Sequence, residues 1–173
     1  LPPRPAAALQ PGQSALFDDL LRDTPGWDDV AWLQANTRLP VILKGILHPD
    51  DARQAARLQA GGVIVSNHGG RTLDSAPPTA EALPRIADAL AGTLPLLVDG
   101  GIRRGTDILK AMALGANAVL VGKPYVFGLA NAGALGVAHV LRLLRDELEI
   151  AMALCGCATL DDLPAGLPGA GQP

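Results

Sequence analysis

Aromatic side chains are scarce in this chain: they make up 3% of its 173 residues, and charged side chains make up 18%. Few aromatics leave little surface for stacking nucleobases, and a net charge of −3 leaves no dense basic face, so the composition argues against nucleic-acid binding. The two cysteines, Cys155 and Cys157, lie one residue apart, a spacing that disfavours a disulfide between them and matches no metal-binding motif. We therefore expect reduced, buried thiols and no bound metal.

The chain is otherwise rich in apolar residues (49%) and has 20 glycines and 15 prolines. This composition and length predict one packed domain. Gly, Pro, Lys or Asp interrupts the longest apolar stretches, so we predict no membrane segment, and with no visible signal peptide we predict a cytoplasmic protein. The Pro- and Gly-rich ends predict a linker, or the remnant of a connection, over residues 1–26 and a disordered tail over residues 164–173.

Short, continuously apolar runs alternate with helical patterns along the chain. The runs predict strands at Val41–Leu43, Val63–Val65, Leu96–Val98 and Val119–Val121. The patterns predict helices at Asp28–Asn36, Pro49–Gln59, Thr79–Leu90, Thr106–Leu114 and Leu135–Leu154, with Thr79 as a helix cap and with Trp27 and Trp32 as core residues. Alternation of this kind indicates parallel strands joined by right-handed crossovers.

A polar or glycine-rich segment follows every predicted strand: Lys44-Gly45, Ser66–Arg71, Asp99–Gly101 and Gly122–Pro124. An open doubly wound sheet brings together only the strand ends near its switch point, whereas a barrel brings all of them to one rim. Because all four ends carry such groups, we predict an α/β fold that forms half of a (β/α)8 TIM barrel, with the other four strands outside this chain.

The strand ends also suggest chemistry. Gly100 and Gly101 before Arg103 and a helix start are typical of a phosphate site, and Gly122-Lys123 adds a second approach, although a plain glycine-rich turn is an alternative. His68 could take a proton and Arg71 could grip a carboxylate, the alternative for His68 being a structural role. Lys44 is either an ion-pair partner of Asp99 or a fixed cation beside an anionic cofactor. His48 and His139 are expected to be structural.

Four segments resemble the FMN-dependent 2-hydroxy-acid oxidases and dehydrogenases: LPVILKG (Leu39–Gly45), SNHGGRTLD (Ser66–Asp74), LVDGGIRRGTDILKAMALGA (Leu97–Ala116) and VGKPYVFGLA (Val121–Ala130). This family includes glycolate oxidase, lactate oxidase, lactate monooxygenase and the lactate and mandelate dehydrogenases. The resemblance runs from about Trp27 to Leu163 and implies the C-terminal half of the family's barrel. It also implies FMN-dependent oxidation of an L-2-hydroxy acid, lactate- or glycolate-like, to the 2-oxo acid, with oxygen or another acceptor taking the electrons.

The resemblance implies a role for each matching residue. His68 resembles the family's active-site base, and Arg71 resembles its clamp for the substrate carboxylate. Lys44 resembles the lysine beside N1 and O2 of the flavin, and Ser66 a residue on the flavin ring side. The ribityl and phosphate contacts correspond to Asp99, Gly100, Gly101, Ile102, Arg103, Gly122 and Lys123. The family usually has arginine where this chain has Lys123.

The family's first half supplies further substrate and flavin contacts that are not in this chain. We therefore expect a fragment of the full enzyme, inactive alone or active only when paired with a complementary half, and a homo-oligomer (a tetramer in the family) when complete. Two alternatives stay open. One is another FMN- or phosphate-binding barrel, such as the isopentenyl-diphosphate isomerase or IMP dehydrogenase relatives, and the other is a non-catalytic half-barrel.

Overall fold

A computed structural model describes residues 9–14, 17–18 and 24–163, and the chain divides into two units after Val41. The first unit contains helix α1, Trp27–Ala35, in which no residue is buried. Trp32 is 41% exposed, so the prediction that both tryptophans are core residues is wrong. Residues five apart lie about 140° apart around a helix, and one face therefore cannot bury both rings. The predicted tail and most of the predicted linker lie outside the described residues.

The second unit contains one parallel sheet in which neighbouring strands follow chain order. Its strands are β1 (Ile42–Ile46), β2 (Gly62–Val65), β3 (Leu96–Val98) and β4 (Ala118–Val119). Its helices are α2 (Pro49–Arg57), α3 (Thr79–Leu90), α4 (Gly105–Ala113) and α5 (Lys123–Leu154), and short 3₁₀ turns lie at His68–Gly70 and Leu160–Asp162. The predicted α/β fold with four parallel strands separated by helices is confirmed.

The core lies between the sheet and helices α2 and α3. Every residue of β2 is buried, as its continuous apolar run predicted. Ala52 and Ala55 of α2 have no exposed surface, and their small side chains let that helix lie close to its neighbours. Leu83 and Ile86 of α3 fill the remaining space and are among the largest fully buried side chains.

His48 at the start of α2 has the structural role that was predicted for it, whereas Thr79 at the start of α3 does not have its predicted role. His48 caps α2 as a structural histidine, because its Nδ1 accepts the amide of Asp50 at 3.2 Å. Thr79 is not the cap of α3: Pro78 takes that position, and its extended backbone places Thr79 inside the first turn. The hydroxyl of Thr79 is buried and donates to the carbonyl oxygen of Gly100 at 3.4 Å. A side chain predicted to cap its own helix therefore supports a neighbouring loop.

Helix α5 begins earlier than predicted and is broken once. Its backbone leaves helical geometry at Ala132 and Gly133, so the segment after the break corresponds to the predicted helix Leu135–Leu154. The chain folds back there and brings Gly136 against Gly128. A Cβ atom on Gly136 would lie 1.9 Å from the carbonyl oxygen of Gly128. Eight residues of unbroken helix would separate these two glycines by about 12 Å.

The prediction that the chain has no membrane segment missed a property of α5. This helix is long and apolar enough, by length and composition, to cross a membrane. The prediction treated glycine as an interruption, although glycine does not lower the hydropathy of a helix enough to remove this property. The uncharged stretch Pro124–Leu141, however, contains the break at Ala132 and Gly133. A helix that crosses a bilayer usually closes its backbone hydrogen bonds within the segment, and the non-helical backbone at these two residues departs from that pattern.

Burial in this core predicts a large difference between two leucine truncations. Leu83 is 1% exposed and Leu141 is 51% exposed. Leu83→Ala should lower the free energy of unfolding by about 2–5 kcal/mol, because it removes buried surface and leaves a cavity, whereas Leu141→Ala should change it by less than about 0.5 kcal/mol. Urea unfolding followed by circular dichroism measures both, and equal losses would contradict this core assignment.

Candidate active site

An open cleft of about 590 Å³ lies where the strands of the second unit end. It collects almost every residue that the sequence marked for function, although those residues come from four separate strand ends. The predicted residues that line it are Lys44, His68, Arg71, Asp99, Gly100, Gly101, Ile102, Arg103, Gly122 and Lys123. Ser66 lies behind this lining and contacts Lys44.

Ser66 is fully buried immediately after β2 and joins two parts of the cleft. Its Oγ accepts hydrogen bonds from Nζ of Lys44 at 2.8 Å and from the backbone amide of His68 at 3.1 Å. Nζ of Lys44 also lies 2.8 Å from Oδ2 of Asp99, so the ion pair considered as one alternative for Lys44 is present. An ammonium group has three donors, and these two contacts leave one of them for a ligand.

The other carboxylate oxygen of Asp99 is an acceptor without a donor. Oδ1 is buried and accepts no hydrogen bond from the part of the chain that the structure describes. Leaving such a group unpaired costs on the order of 1–3 kcal/mol. A hydroxyl group of a bound ligand in the cleft would remove this cost.

His68 is held in a backbone conformation that few side chains adopt. Its φ is 54°, in the left-handed region, which costs roughly 1–2 kcal/mol for a residue with a Cβ atom. Besides the bond from its amide to Ser66, the next amide, that of Gly69, donates to Oδ1 of Asn67 at 3.0 Å. Nδ2 of Asn67 in turn donates to the carbonyl oxygen of Pro77 at 3.4 Å. Hydrogen bonds on both sides of His68 therefore hold this strained loop.

Gly45 makes room for the ring of His68. It forms an irregularity in the pairing of β1 with β2 and has a φ of 101°. A Cβ atom on Gly45 would lie 2.9 Å from Cε1 of the imidazole, closer than such atoms can approach. This role of Gly45 was not predicted from the sequence, although a glycine inside a strand signals a bulge or a close backbone approach.

The glycine turn after β3 differs in detail from a simple helix-end phosphate site. The amides of Arg103 and Arg104 both donate to Oδ2 of Asp107 at 3.0 Å, so the start of α4 is capped by its own aspartate. The amides of Gly101 and Ile102 donate to no residue in the described ranges. Any anion held here would therefore meet the amides before the helix and the side-chain cations beside them.

The first turn of α5 also lines the cleft, which the sequence reasoning did not predict. Tyr125, Val126 and Phe127 all contribute to the lining, and Phe127 is 71% exposed. The signal was their position in the KPYVF segment directly after Lys123. Residues three and four places apart on a helix lie on one face, so Val126 and Phe127 share the face of Lys123.

The Gly45 contact generates a testable prediction. Gly45→Ala should displace the imidazole of His68 and lower stability, by roughly 1–2 kcal/mol through backbone strain and about 1–3 kcal/mol through the clash. The chain has three histidines, so NMR can follow the Cε1 signal of His68 while those of His48 and His139 serve as controls. In a His68→Gly background the clash part of the loss should disappear. An unmoved His68 signal, or the same loss in both backgrounds, would show that the contact does not matter.

Comparison with known proteins identifies relatives over nearly the whole chain. A family model described as FMN-dependent dehydrogenase matches residues 3–167. An L-lactate oxidase of Alicycliphilus denitrificans is 55% identical over 163 residues, which cover 93% of this chain and 44% of the relative. Glycolate oxidase 1 of Zea mays is 54% identical over 140 residues, which cover 81% of this chain and 38% of the relative.

A solved structure supports the fold. A mandelate oxidase variant with the monooxide FMN adduct matches with a TM-score of 0.79 at 51% identity, covering 82% of this chain and 45% of that one. The match confirms the predicted half-barrel, and the chain spans less than half the length of the relatives it matches. The extent of the family match and the identity to these relatives show that the chain belongs to the family of FMN-dependent dehydrogenases.

Proposed function

We propose that this chain forms the FMN- and substrate-binding rim of an enzyme that oxidises an L-2-hydroxy acid, lactate- or glycolate-like, to the 2-oxo acid. The observation that carries the proposal is that His68 and Arg71 line the same cleft as Lys44, Asp99 and the glycine turns. The relatives named as oxidases of lactate and glycolate share this part of the chain.

The cleft suits a flavin mononucleotide. A Cβ atom on Gly101 or Gly122 would meet no atom within 4 Å, so the backbone of both turns lies open to a ligand. Arg103 and Lys123 line the same region, and a phosphate there would be held by two cations and by free amides. The unpaired Oδ1 of Asp99 would accept a bond from a ribityl hydroxyl.

The ring end of the cofactor would meet Lys44, which the buried hydroxyl of Ser66 supports from behind the cleft lining. Lys44 has one donor left after its bonds to Ser66 and Asp99, and its positive charge favours electron density on a neighbouring acceptor. FMN bound in this way supplies the acceptor for the two electrons that leave the substrate. Ser66 keeps the ammonium group of Lys44 at the strand end, so the cation does not have to be reorganised during the reaction.

The substrate would be gripped by Arg71 and deprotonated by His68. Oxidation of a 2-hydroxy acid breaks the O–H bond and the C–H bond at C2 and forms a C=O bond, so two protons and two electrons leave. The guanidinium group of Arg71 matches a carboxylate with two parallel hydrogen bonds, which orients C2. A neutral imidazole at His68 would accept one of the protons, and the other proton would pass with the two electrons to the FMN. The strained loop of His68, supported by hydrogen bonds on both sides, keeps the ring in place.

Two alternatives were open from the sequence. Another FMN- or phosphate-binding barrel would not need a histidine and an arginine on one loop, and the family match argues against that reading. A non-catalytic half-barrel would lack flavin. Visible flavin absorbance of the purified chain supports our proposal, and its absence after incubation with FMN favours the non-catalytic alternative.

The same proposal includes three further properties of the complete enzyme. These are oxygen or another compound as electron acceptor, a homo-oligomeric assembly and a cytoplasmic location. Of the two thiols that we expected to be buried, Cys157 is buried, whereas Cys155 is exposed.

The role of His68 can be tested by flavin reduction. His68→Gln should keep FMN bound but slow the anaerobic bleaching of its absorbance by L-lactate or glycolate by about 10²–10⁴-fold, because the proton acceptor is lost. His139→Gln is the matched control, since His139 lies exposed on α5 away from the cleft lining.

The measurement should be made on the chain alone and with the unmatched part of the Alicycliphilus lactate oxidase supplied as a second chain. Bleaching in either preparation that is lost only in His68→Gln supports the assignment. Equal bleaching rates in the two histidine variants would refute it, and no bleaching in either preparation would refute a catalytic role for this chain.

Lys123 provides a second test, because a lysine binds phosphate as a point charge and an arginine binds it with a planar fork. Lys123→Arg should tighten FMN binding by about threefold to tenfold and leave riboflavin binding unchanged, since riboflavin lacks the phosphate. Lys110→Arg on the exposed side of α4 is the control. Fluorescence titration measures both ligands, and equal FMN affinity for wild type and Lys123→Arg would contradict the phosphate contact.

A further inference from the structure

Glu147 reaches from α5 to the first residue of α4. Its Oε2 accepts the backbone amide of Gly105 at 2.8 Å, across 42 residues of sequence. Gly105 is buried, and it is the residue at which α4 begins. The first amides of a helix have no partner within the helix. The amide of Gly105 is therefore bound by a side chain from another helix, whereas the two amides before it donate to Asp107 of α4 itself.

The two helices touch through their backbones at this point. A Cβ atom on Gly105 would lie 2.1 Å from the backbone nitrogen of Leu148 and 2.4 Å from the carbonyl carbon of Glu147. Any side chain at Gly105 would push the helices apart and pull its amide away from the carboxylate. The hydrogen bond and the missing Cβ atom thus act together to fix where α4 starts.

The position of this contact matters because the glycine turn ends there. Gly100 and Gly101 lead through Ile102 and Arg103 directly into the start of α4, and all four residues line the cleft. Asp107 fixes the turn only relative to its own helix. Glu147 fixes it relative to α5, the helix whose first residue is Lys123. The fold-back of α5 at Ala132 and Gly133 is what returns that helix to α4.

We propose that Glu147 is a positioning residue for the phosphate-binding turn: its carboxylate sets the turn Gly100–Arg103 at the distance from Gly122-Lys123 that a phosphate group requires. The inference rests on the proposed binding of FMN in the cleft. It assigns a role at the cofactor's phosphate to a side chain that does not line the cleft, so Glu147 acts through the Gly105 amide alone.

The test compares four full-length chains: wild type, Glu147→Ala, Glu147→Gln and Glu149→Ala. Glutamine keeps an acceptor oxygen and removes the charge. Glu149 is the matched control, because it is an exposed glutamate on the same helix that pairs with Arg145 at 2.7 Å. Amide hydrogen exchange of the segment 99–108 is measured without ligand, and the dissociation constants of FMN and riboflavin are measured by fluorescence titration.

We expect faster exchange in segment 99–108 for Glu147→Ala, together with FMN affinity reduced about threefold to tenfold and unchanged riboflavin affinity. Glu147→Gln and Glu149→Ala should behave like wild type in exchange, and neither should lose FMN affinity. A purely structural contact would weaken both ligands equally, and that result would overturn the inference. So would identical exchange in Glu147→Ala and Glu149→Ala, or the same loss in Glu147→Gln as in Glu147→Ala.

Two further outcomes keep this inference separate from the proposed function. If the wild-type chain binds neither FMN nor riboflavin, the proposed function fails, and the exchange comparison alone decides whether Glu147 positions the turn. If Glu147→Ala does not fold, as judged by circular dichroism, Glu147→Asp replaces it. The shorter side chain keeps the charge but withdraws the acceptor from Gly105, so it should also raise exchange in segment 99–108, and unchanged exchange would overturn the inference.

Discussion

The buried hydroxyl of Ser66 is the contact on which the rest of the cleft depends. It accepts hydrogen bonds from the ammonium group of Lys44 and from the backbone amide of His68, and Ser66 has no exposed surface. One oxygen atom at the end of β2 thereby fixes a cation from β1 and the entrance to the His68 loop. Through Lys44 it also reaches Asp99 at the end of β3. Because a buried polar group that loses its partner costs free energy, these three strand ends keep their relative positions together.

Around this contact the chain stores backbone strain where chemistry is proposed. His68 adopts a left-handed conformation, and Gly45 beside it bulges out of β1. A strained backbone conformation of this kind persists only where several surrounding contacts hold it in place. Asn67 and Thr79 do this here, since their side chains bind the loops on both sides of the cleft. The cleft is therefore held by side-chain hydrogen bonds and not by the apolar core alone.

Helix α5 links the site to the unpaired surfaces of the unit. Its first turn lines the cleft, its fold-back brings Glu147 to α4, and its outer face exposes Leu135 and Leu154 at 80% and 84%. In the described sheet β1 and β4 are the two edges, so their outer hydrogen-bonding groups lack a partner strand there. A barrel removes such edges by closing the sheet. These open surfaces agree with a chain that spans less than half the length of its relatives.

The order of strands and helices and the residues at the strand ends could be predicted from the sequence, because apolar periodicity and glycine placement are local properties of the chain. The convergence of four strand ends followed from the barrel topology alone. The predicted burial of both tryptophans of α1 was the clearest error, since whether a side chain such as Trp32 is buried depends on what packs against its helix and not on its hydrophobicity alone.

The sequence by itself determined the family and the residue types that line the cleft, among them His68 and Lys123. Only the tertiary structure decided how those groups are held. The ring of His68 lies against the bulge at Gly45, and α5 folds back to bring Glu147 to the amide of Gly105. Both contacts join residues more than 20 positions apart, and no local pattern encodes a distance between atoms that only folding brings together.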